Sequence, residues 1–306
     1  MTSGAVFLRG PGYALGEREL DHTAIGNLAE LADRFCLARS PALWGWGTVR
    51  TTGRELEELA VDTGLATLAA AGIDAAGIDA LLLCCTRIPG PAEGHGRFAA
   101  NVLTGIGLPD IPFYGQNLNR CVNLLAGLDV AHAFVAGGRY RRVLVITTDK
   151  LAAGADRMSQ FALYSDGAAS CVVAADQGDG EYELLGCATA QQTATLDGTA
   201  QISSDLAREV NDQLLGAHGL KPGDLDCLLH ANLFTPLVVM KELQAGFTAQ
   251  QLYTGNIARI GHCFAADPLI NLVDRAALGH VQEGGYCLLA SSVPGSRIGA
   301  LLRRLR

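Results

Sequence analysis

The sequence predicts an α/β protein built from two similar halves. Short apolar runs, typical of buried parallel strands, alternate with longer helical segments along the whole chain. The composition agrees, because 49% of the 306 residues are hydrophobic and only 18% are charged. Such a chain is too apolar to be disordered and long enough to bury a large core. The same order of elements recurs in residues 1–175 and 176–306, so we expect two halves packed side by side.

Composition also excludes several classes of function. A net charge of −8, from 31 acidic and 23 basic side chains, disfavours binding to nucleic acid. The nine cysteines are an odd number without a CxxC pair, which favours reduced thiols and argues against a structural zinc or other metal site. Apolar runs stay well below the roughly 18 residues of a membrane span, and no signal peptide is visible. We therefore expect a cytoplasmic protein that does not bind membranes.

Hydrophobic spacing and glycine stops place the individual elements. Apolar residues at helical spacing predict a helix over residues 56–71 that ends at Gly72. In the first half we further expect strands at 80–86, 111–114, 142–148 and 168–174, and helices at 98–108 and 121–136. In the second half we expect strands at 182–188, 225–230, 286–291 and 298–302, and helices at 202–218, 236–246 and 268–278.

Cys121 stands apart from the other cysteines because it lies between a short strand and a helix that is apolar nearly all round. A thiol at a helix N-terminus experiences the positive end of the helix dipole, which favours the thiolate. The backbone N–H of Cys121 is also free there to stabilise an oxyanion. The alternative is a small, inert, buried side chain.

Several segments resemble β-ketoacyl-ACP synthase III. Cys121-Val-Asn-Leu-Leu-Ala-Gly and the following Gly138-Arg-Tyr-Arg-Arg-Val-Leu-Val-Ile resemble that family's nucleophile helix and next strand. Tyr164-Ser-Asp-Gly-Ala-Ala-Ser resembles its Gly-Asp-Gly-Ala strand start, and Gly10-Pro-Gly-Tyr-Ala-Leu its N-terminal turn. The resemblance runs from about residue 5 to the end, and the chain is identified as a member of the thiolase-like superfamily.

This resemblance implies a five-layer αβαβα fold with two pseudo-repeated halves and a homodimer. It also implies that Cys121 becomes acylated by a thioester carried on CoA or an acyl carrier protein, with no further cofactor. His230-Ala-Asn-Leu resembles the family's His-Gln-Ala-Asn motif, shortened by about one residue. The match implies that His230 is catalytic and that Asn232 lies with the phosphopantetheine-binding residues. The alternative for His230 is a structural histidine at a strand end.

The segment Gly261-His262-Cys-Phe-Ala-Ala-Asp267 departs from the family pattern. Condensing members have Gly-Asn-Thr-Ser here, and the resemblance places His262 where they have the asparagine. Asp267 is the other candidate for the third catalytic member, since some acyl-transferring relatives replace the asparagine function with an aspartate. The alternatives are a packing role for His262 and, for Asp267, an N-cap before Pro268 and an apolar helix.

Two further matches concern the donor and the oxyanion. Trp46-Gly-Thr-Val-Arg50 resembles a Trp-x-x-x-Arg segment that holds the nucleotide end of CoA in synthase III. Tryptophan stacks on adenine and arginine pairs with phosphate, although Trp46 also suits an ordinary core. Gly295 lies near the position of the family's glycine-rich loop, whose N–H completes the oxyanion hole together with that of Cys121.

These residues leave three functions open. Transfer to a hydroxyl or amine needs a general base, for which we expect His230 oriented by Asp267. Decarboxylative condensation with a malonyl thioester needs two neutral donors instead, and His262 permits it. The third possible function is that of a non-catalytic partner subunit. We expect a ketosynthase III-like acyltransferase of secondary metabolism that works through acyl-Cys121 on a small-molecule acceptor.

Overall fold

The computed structural model describes residues 4–87, 90–152, 154–178, 181–197 and 201–305. Eleven strands lie in this part of the chain: β1 Phe7–Leu15, β2 Arg18–Asp21, β3 Thr48–Thr51, β4 Ala80–Cys84, β5 Phe113–Gln116, β6 Arg142–Asp149, β7 Gly167–Ala174, β8 Tyr182–Gln191, β9 Cys227–His230, β10 Tyr286–Val293 and β11 Ser296–Arg304. The α-helices described are α1 Leu28–Arg34, α2 Pro41–Trp44, α3 Leu56–Ala71, α4 Ala92–Ile106, α5 Asn123–Ala136, α6 Ser204–Gly216, α7 Thr235–Gln244, α8 Gly255–Ile260 and α9 Asp267–Ala277.

The strands form two groups that meet at β1. The hydrogen-bonded order is β5-β4-β6-β7-β1-β8-β11-β10-β9, and β2 and β3 form a separate small hairpin. β1 pairs with β8 only at Phe7 and Leu8, so this junction is short. Helices α3 and α4 cover one group, α6 and α7 cover the other, and α5 and α9 contact strands of both. This order of layers confirms the predicted five-layer α/β fold.

Most predicted elements are found within a few residues of their expected bounds, but β1 was not predicted as a strand. The expected turn at Gly10 lies inside β1, where the pairing with β7 shifts register between Arg9 and Gly12. That shift breaks the alternation by which a strand is recognised in sequence. β1 nevertheless joins the two strand groups.

Helix α5 runs through the middle of the molecule and positions Cys121. Its residues Leu124, Leu125 and Leu128 are fully buried, as expected for a helix between two sheets. Gly127 lets the helix approach β4 closely, since a Cβ there would lie 2.6 Å from the Cys84 sulfur. The N-terminal end of α5 therefore lies beside the carboxyl ends of β4 and β6.

The two strand groups also follow one another in sequence. The strands β1 and β4–β7 end at Ala174, and β8–β11 begin at Tyr182. The division into halves at residues 1–175 and 176–306 stays a prediction. In the described ranges, no helix combines the length and hydrophobicity needed to cross a membrane.

Candidate active site

Cys121 lies in a 3-10 turn, Arg120–Val122, that leads directly into α5. Arg120 adopts a left-handed backbone with φ 55°, and its carbonyl accepts a hydrogen bond from the Thr86 hydroxyl at 3.2 Å. The Cys121 side chain is half-buried. Its thiol is therefore accessible from a cavity while its backbone N–H belongs to the first turn of a helix, where N–H groups lack helical acceptors.

The cavity at Cys121 has a volume of about 160 Å³ and mostly apolar walls. Its lining brings together the Arg120–Val122 turn, the β10–β11 hairpin and the segment before β7. The residues that line it are Arg120, Cys121, Phe161, Tyr164, Ile202, Leu233, His262, Ser292, Val293 and Pro294.

His262 links Cys121 to Asp267. The His262 Nδ1 atom is hydrogen-bonded to the Asp267 carboxylate, and His262 and Cys121 line the same cavity. Because Nδ1 is engaged by Asp267, Nε2 is the ring nitrogen left for the sulfur. A thiol, an imidazole and a carboxylate in this order can act chemically as a nucleophile, a base and an orienting acid.

The backbone around His262 holds the ring in this position. The His262 N–H donates to Leu163 O at 2.8 Å, and His262 O accepts from the Ser165 N–H at 2.9 Å. Gly261 permits this close approach with φ 67°, since a Cβ there would lie 2.9 Å from Leu163 O. The Tyr164 ring also packs on the imidazole, with centroids 5.4 Å apart.

Asp267 is held by two backbone donors besides His262. Its Oδ1 accepts from the Cys263 N–H at 2.7 Å, and its Oδ2 accepts from the Asn232 N–H at 2.6 Å. Asp267 is the first residue of α9, whose N-cap is Ala266, and it makes no capping hydrogen bond. The alternative capping role is therefore not found, and the carboxylate is oriented toward the histidine.

The charges around His262 favour its protonated form. Burial opposes a charged ring, but the Asp267 carboxylate and the Cys121 sulfur outweigh it and raise the pKa of His262 well above its ordinary value. A protonated His262 in the same cavity as Cys121 can stabilise negative charge that develops on a reacting atom there.

His230 does not occupy the position predicted for it. Leu229 packs with Val122 in the central apolar cluster, whereas Leu228 packs with Leu288 on the opposite face of the sheet. Alternation along the strand puts His230 on the face of Leu228, away from the α5 layer. The expected pair of His230 with Asp267 is therefore corrected: Asp267 binds His262.

The surroundings of His230 are those of a buried neutral histidine. Its Nδ1 is 2.8 Å from Ala231 O, and its buried Nε2 has no hydrogen-bond partner among the described residues. Desolvation lowers the pKa of His230. The charged groups that act on the pKa of His230 are Glu242 and Lys241 of α7 and Asp267.

Asn232 orients Asp267 through contacts inside the protein. Its N–H binds Asp267, its side-chain amide donates to Gly261 O at 3.0 Å, and its side-chain oxygen accepts from Asn271. Asn232 is 1% exposed, so no part of it is left for a phosphopantetheine chain. The expected contact with the donor is replaced by a role in orienting Asp267.

Trp46 and Arg50 are both engaged within the protein. Trp46 is 7% exposed and packs against Phe234, with ring centroids 6.2 Å apart, so it cannot stack on an adenine. The Arg50 guanidinium lies 2.5 Å from the Glu19 carboxylate across the β2–β3 hairpin. The predicted nucleotide-binding pair is therefore a core side chain and a cross-strand ion pair.

Gly295 lies in the β10–β11 turn with φ 76°. The residue of this turn that lines the cavity is Pro294, which has no N–H to donate. The structure thus offers the N–H of Cys121 at the cavity but does not place Gly295 in its wall.

Sequence reasoning missed the other three polar residues of the cavity. Arg120 directly precedes Cys121, Tyr164 lies in the segment compared with the Gly-Asp-Gly-Ala motif, and Ser292 is the last residue but one of β10. Only the adjacency of Arg120 to Cys121 was a usable signal. The other two come from segments brought together by folding.

Comparisons with known proteins find relatives along the whole chain. A family model described as 3-oxoacyl-[acyl-carrier-protein (ACP)] synthase III matches residues 118–192, a stretch that includes Cys121. A β-ketoacyl-ACP synthase III of Nitratidesulfovibrio vulgaris (strain DP4) is 25% identical over 99% of this chain and 100% of its own. The corresponding enzyme of Roseiflexus castenholzii is 27% identical over 93% of both chains.

Solved structures share the fold. A structure titled ChlB3 acyltransferase has a TM-score of 0.84 at 15% identity over 98% of both chains. The 3-oxoacyl-ACP synthase III of Aquifex aeolicus VF5 has a TM-score of 0.80 at 17% identity, over 97% of this chain and 99% of that one. Sequence relatives along the whole chain, the family match around Cys121 and this fold agree, and the chain is similar to the β-ketoacyl-ACP synthase III enzymes of the thiolase-like superfamily.

Proposed function

We propose that this protein transfers an acyl group from CoA or an acyl carrier protein, through acyl-Cys121, to a hydroxyl or amine of a small molecule. The observation that carries the proposal is that His262, which is hydrogen-bonded to Asp267 through Nδ1, lines the same cavity as Cys121. A histidine so oriented can take a proton from the nucleophile and later from an acceptor. A role in secondary metabolism and a cytoplasmic location belong to the same proposal.

The proposed reaction has two half-reactions. In the first, the Cys121 sulfur forms a bond to the thioester carbonyl carbon, the bond from that carbon to the donor sulfur breaks, and His262 returns its proton to the departing thiolate. In the second, the acceptor oxygen or nitrogen attacks the acyl-Cys121 carbon and loses its proton to His262, while the Cys121 thiolate leaves. The Asp267 carboxylate keeps Nδ1–H in place throughout.

The carboxylate favours transfer over condensation. Decarboxylative condensation forms an enolate that needs two neutral donors, and a carboxylate bound to one of the histidines opposes a second negative charge nearby. His230, the other possible donor, faces the side of the sheet away from α5. The Asp267 carboxylate makes His262 more basic, which suits a group that accepts a proton better than one that stays a neutral hydrogen-bond donor.

A second cavity supports a route for the donor. It has a volume of about 390 Å³ and shares Phe161, Ile202 and Leu233 with the cavity at Cys121. A phosphopantetheine arm entering there would reach the sulfur past these three side chains. CoA and an acyl carrier protein both present this arm.

The proposal includes a homodimer formed through β5. This strand ends the sheet, and Phe113 and Leu118 are 49% and 90% exposed beside it. An open strand edge with large exposed apolar side chains favours pairing with another chain. Light scattering at micromolar concentration should give twice the mass of 32.0 kDa.

Intact mass spectrometry tests the proposed chemistry. The protein is mixed with a panel of acyl-CoAs and acyl carrier proteins, and an added acyl mass is expected on the wild type but not on Cys121→Ala. Adding alcohols or amines should remove this mass and yield an ester or amide.

Two outcomes would contradict transfer. Release of CO₂ from a malonyl thioester, with formation of a longer β-keto product, would establish condensation instead. Absence of any adduct on Cys121 across the panel would support a non-catalytic partner subunit.

A further inference from the structure

We propose that Arg120 makes the cavity at Cys121 selective for acyl groups that carry a carboxylate. Arg120 lines the cavity together with Cys121, and most of the remaining wall is apolar, formed by Phe161, Ile202, Leu233, Val293 and Pro294. This inference rests on the proposed function, because the acyl group in question is the one carried by Cys121.

The Arg120 side chain reaches across the cavity from the nucleophile turn to the hairpin. Its Nη2 donates to Pro294 O at 2.6 Å, and both residues line the cavity. A guanidinium has five N–H donors in a planar fork. Only the bond to Pro294 engages them within the described part of the chain, which leaves donors for a ligand.

Arg120 also lacks a counter-ion. No carboxylate of the described residues forms an ion pair with it, although the chain carries 31 acidic side chains. Two other arginines, one half-buried and one buried, are paired: Arg157 with Asp166, and Arg297 with Glu242. A half-buried cation on an apolar wall gains most from an anion that arrives with the substrate, because burial weakens its hydration.

The backbone of Arg120 points to the same use. Its φ of 55° lies in the left-handed region, which glycine adopts without strain and other residues adopt only at a cost in free energy. The hydrogen bond from the Thr86 hydroxyl, 3.2 Å long, holds the carbonyl of this strained residue. The turn thus directs the side chain along the cavity wall next to Cys121.

The cavity volume limits the size of the acyl group. A cavity of about 150 Å³ accommodates a benzene-sized group, and the volume here is about 160 Å³. A succinyl group, whose carboxylate is two methylenes from the thioester carbonyl, is close to that size. The carbonyl would lie at Cys121 and the carboxylate at the guanidinium.

A matched pair of donors tests this inference. Rates of Cys121 acylation are measured by intact mass with succinyl-CoA and with butyryl-CoA, which has the same number of carbons and no charge. The wild type should be acylated at least tenfold faster by succinyl-CoA. Arg120→Met should lower this preference at least tenfold, Arg120→Lys should retain part of it, and Arg97→Met, on the exposed face of α4, should leave it unchanged.

A binding measurement keeps the test independent of chemistry and of variant folding. In Cys121→Ala, free succinate should raise the melting temperature more than butyrate does, and adding Arg120→Lys should reduce that difference. Equal preference in wild type and Arg120→Met, or an adduct from butyryl-CoA alone, would overturn the inference while leaving acyl transfer intact. No adduct from either donor or from the wider panel would overturn the proposed function and this inference together.

Discussion

His262 and His230 are both buried histidines in the second half of the chain, but their surroundings differ in every respect that matters for catalysis. His262 has a carboxylate on Nδ1 and lines the same cavity as the Cys121 thiol. His230 contacts the carbonyl of its own neighbour, and its second nitrogen has no partner within the described ranges. Burial penalises a charge on both rings, yet the pKa rises for His262 and falls for His230. The partner, rather than burial, decides which histidine holds a proton at neutral pH.

The regions around His262 and His230 also differ in what their carboxylates contact. Asp267 is tied to one histidine and two backbone N–H groups next to the nucleophile. Glu242, near His230, is fully buried between Arg297 and Lys241. We therefore expect the first region to control rate and the second to control stability.

The largest expected effect is that of His262→Ala on acyl transfer. Removing the positioned base should lower the rate of acyl-Cys121 formation and of its discharge by roughly 10²- to 10⁴-fold. The matched control is His230→Asn, which keeps a donor to Ala231 O and should stay within about threefold of wild type. Stopped-flow or quenched intact-mass assays measure both variants. A larger loss in His230→Asn than in His262→Ala would reverse the assignment of the two histidines.

The second effect concerns the buried ion pair of Glu242. Glu242→Gln leaves two buried cations without a carboxylate and should lower the free energy of unfolding by about 3–5 kcal/mol. Arg297 contacts the carboxylate at 2.6 Å and Lys241 at 2.9 Å. Urea denaturation compares this variant with Glu209→Gln on the exposed face of α6, which should change stability by less than about 0.5 kcal/mol. Unchanged stability together with lost acylation would place Glu242 in the chemistry instead.

The smallest expected effect is a pH dependence set by Asp149, at the end of β6 near His262. Desolvation raises the pKa of Asp149 from 3.8 to about 7. Between these values the folded chain holds a proton that the unfolded chain releases, so stability should fall as pH rises from about 4 to 7. Asp149→Asn keeps the oxygen that accepts from the Thr86 and Arg87 N–H groups.

Urea unfolding at pH 5 and pH 8 measures this effect. From pH 5 to pH 8, the free energy of unfolding should fall by about 1–3 kcal/mol more in the wild type than in Asp149→Asn. An equal loss in both proteins would mean that Asp149 is already ionised at pH 5 in the folded chain.

Much of the fold could be predicted because it depends on local pattern. The helix over residues 56–71 and its stop at Gly72 are found as predicted, with Gly72 at φ 61°. The apolar run after Cys121 predicted a helix buried on all sides, and α5 lies between the two strand groups. The join at β1 was not predictable in this way, because its bulge hides the alternation.

In the candidate site, too, the sequence predicted what depends on local features and not what depends on contacts between distant segments. The sequence by itself determined Cys121 as the nucleophile candidate, since its place before an apolar helix is a local feature. It also put His262 and Asp267 among the candidates. Only the tertiary structure decided that Asp267 pairs with His262, that Trp46 is buried and that Arg120 lies on the cavity wall. The physical reason is that a shift of one residue in β9 turns a side chain to the other face of the sheet. Asp267 also meets the Asn232 backbone from 35 residues away, a contact that no local pattern encodes.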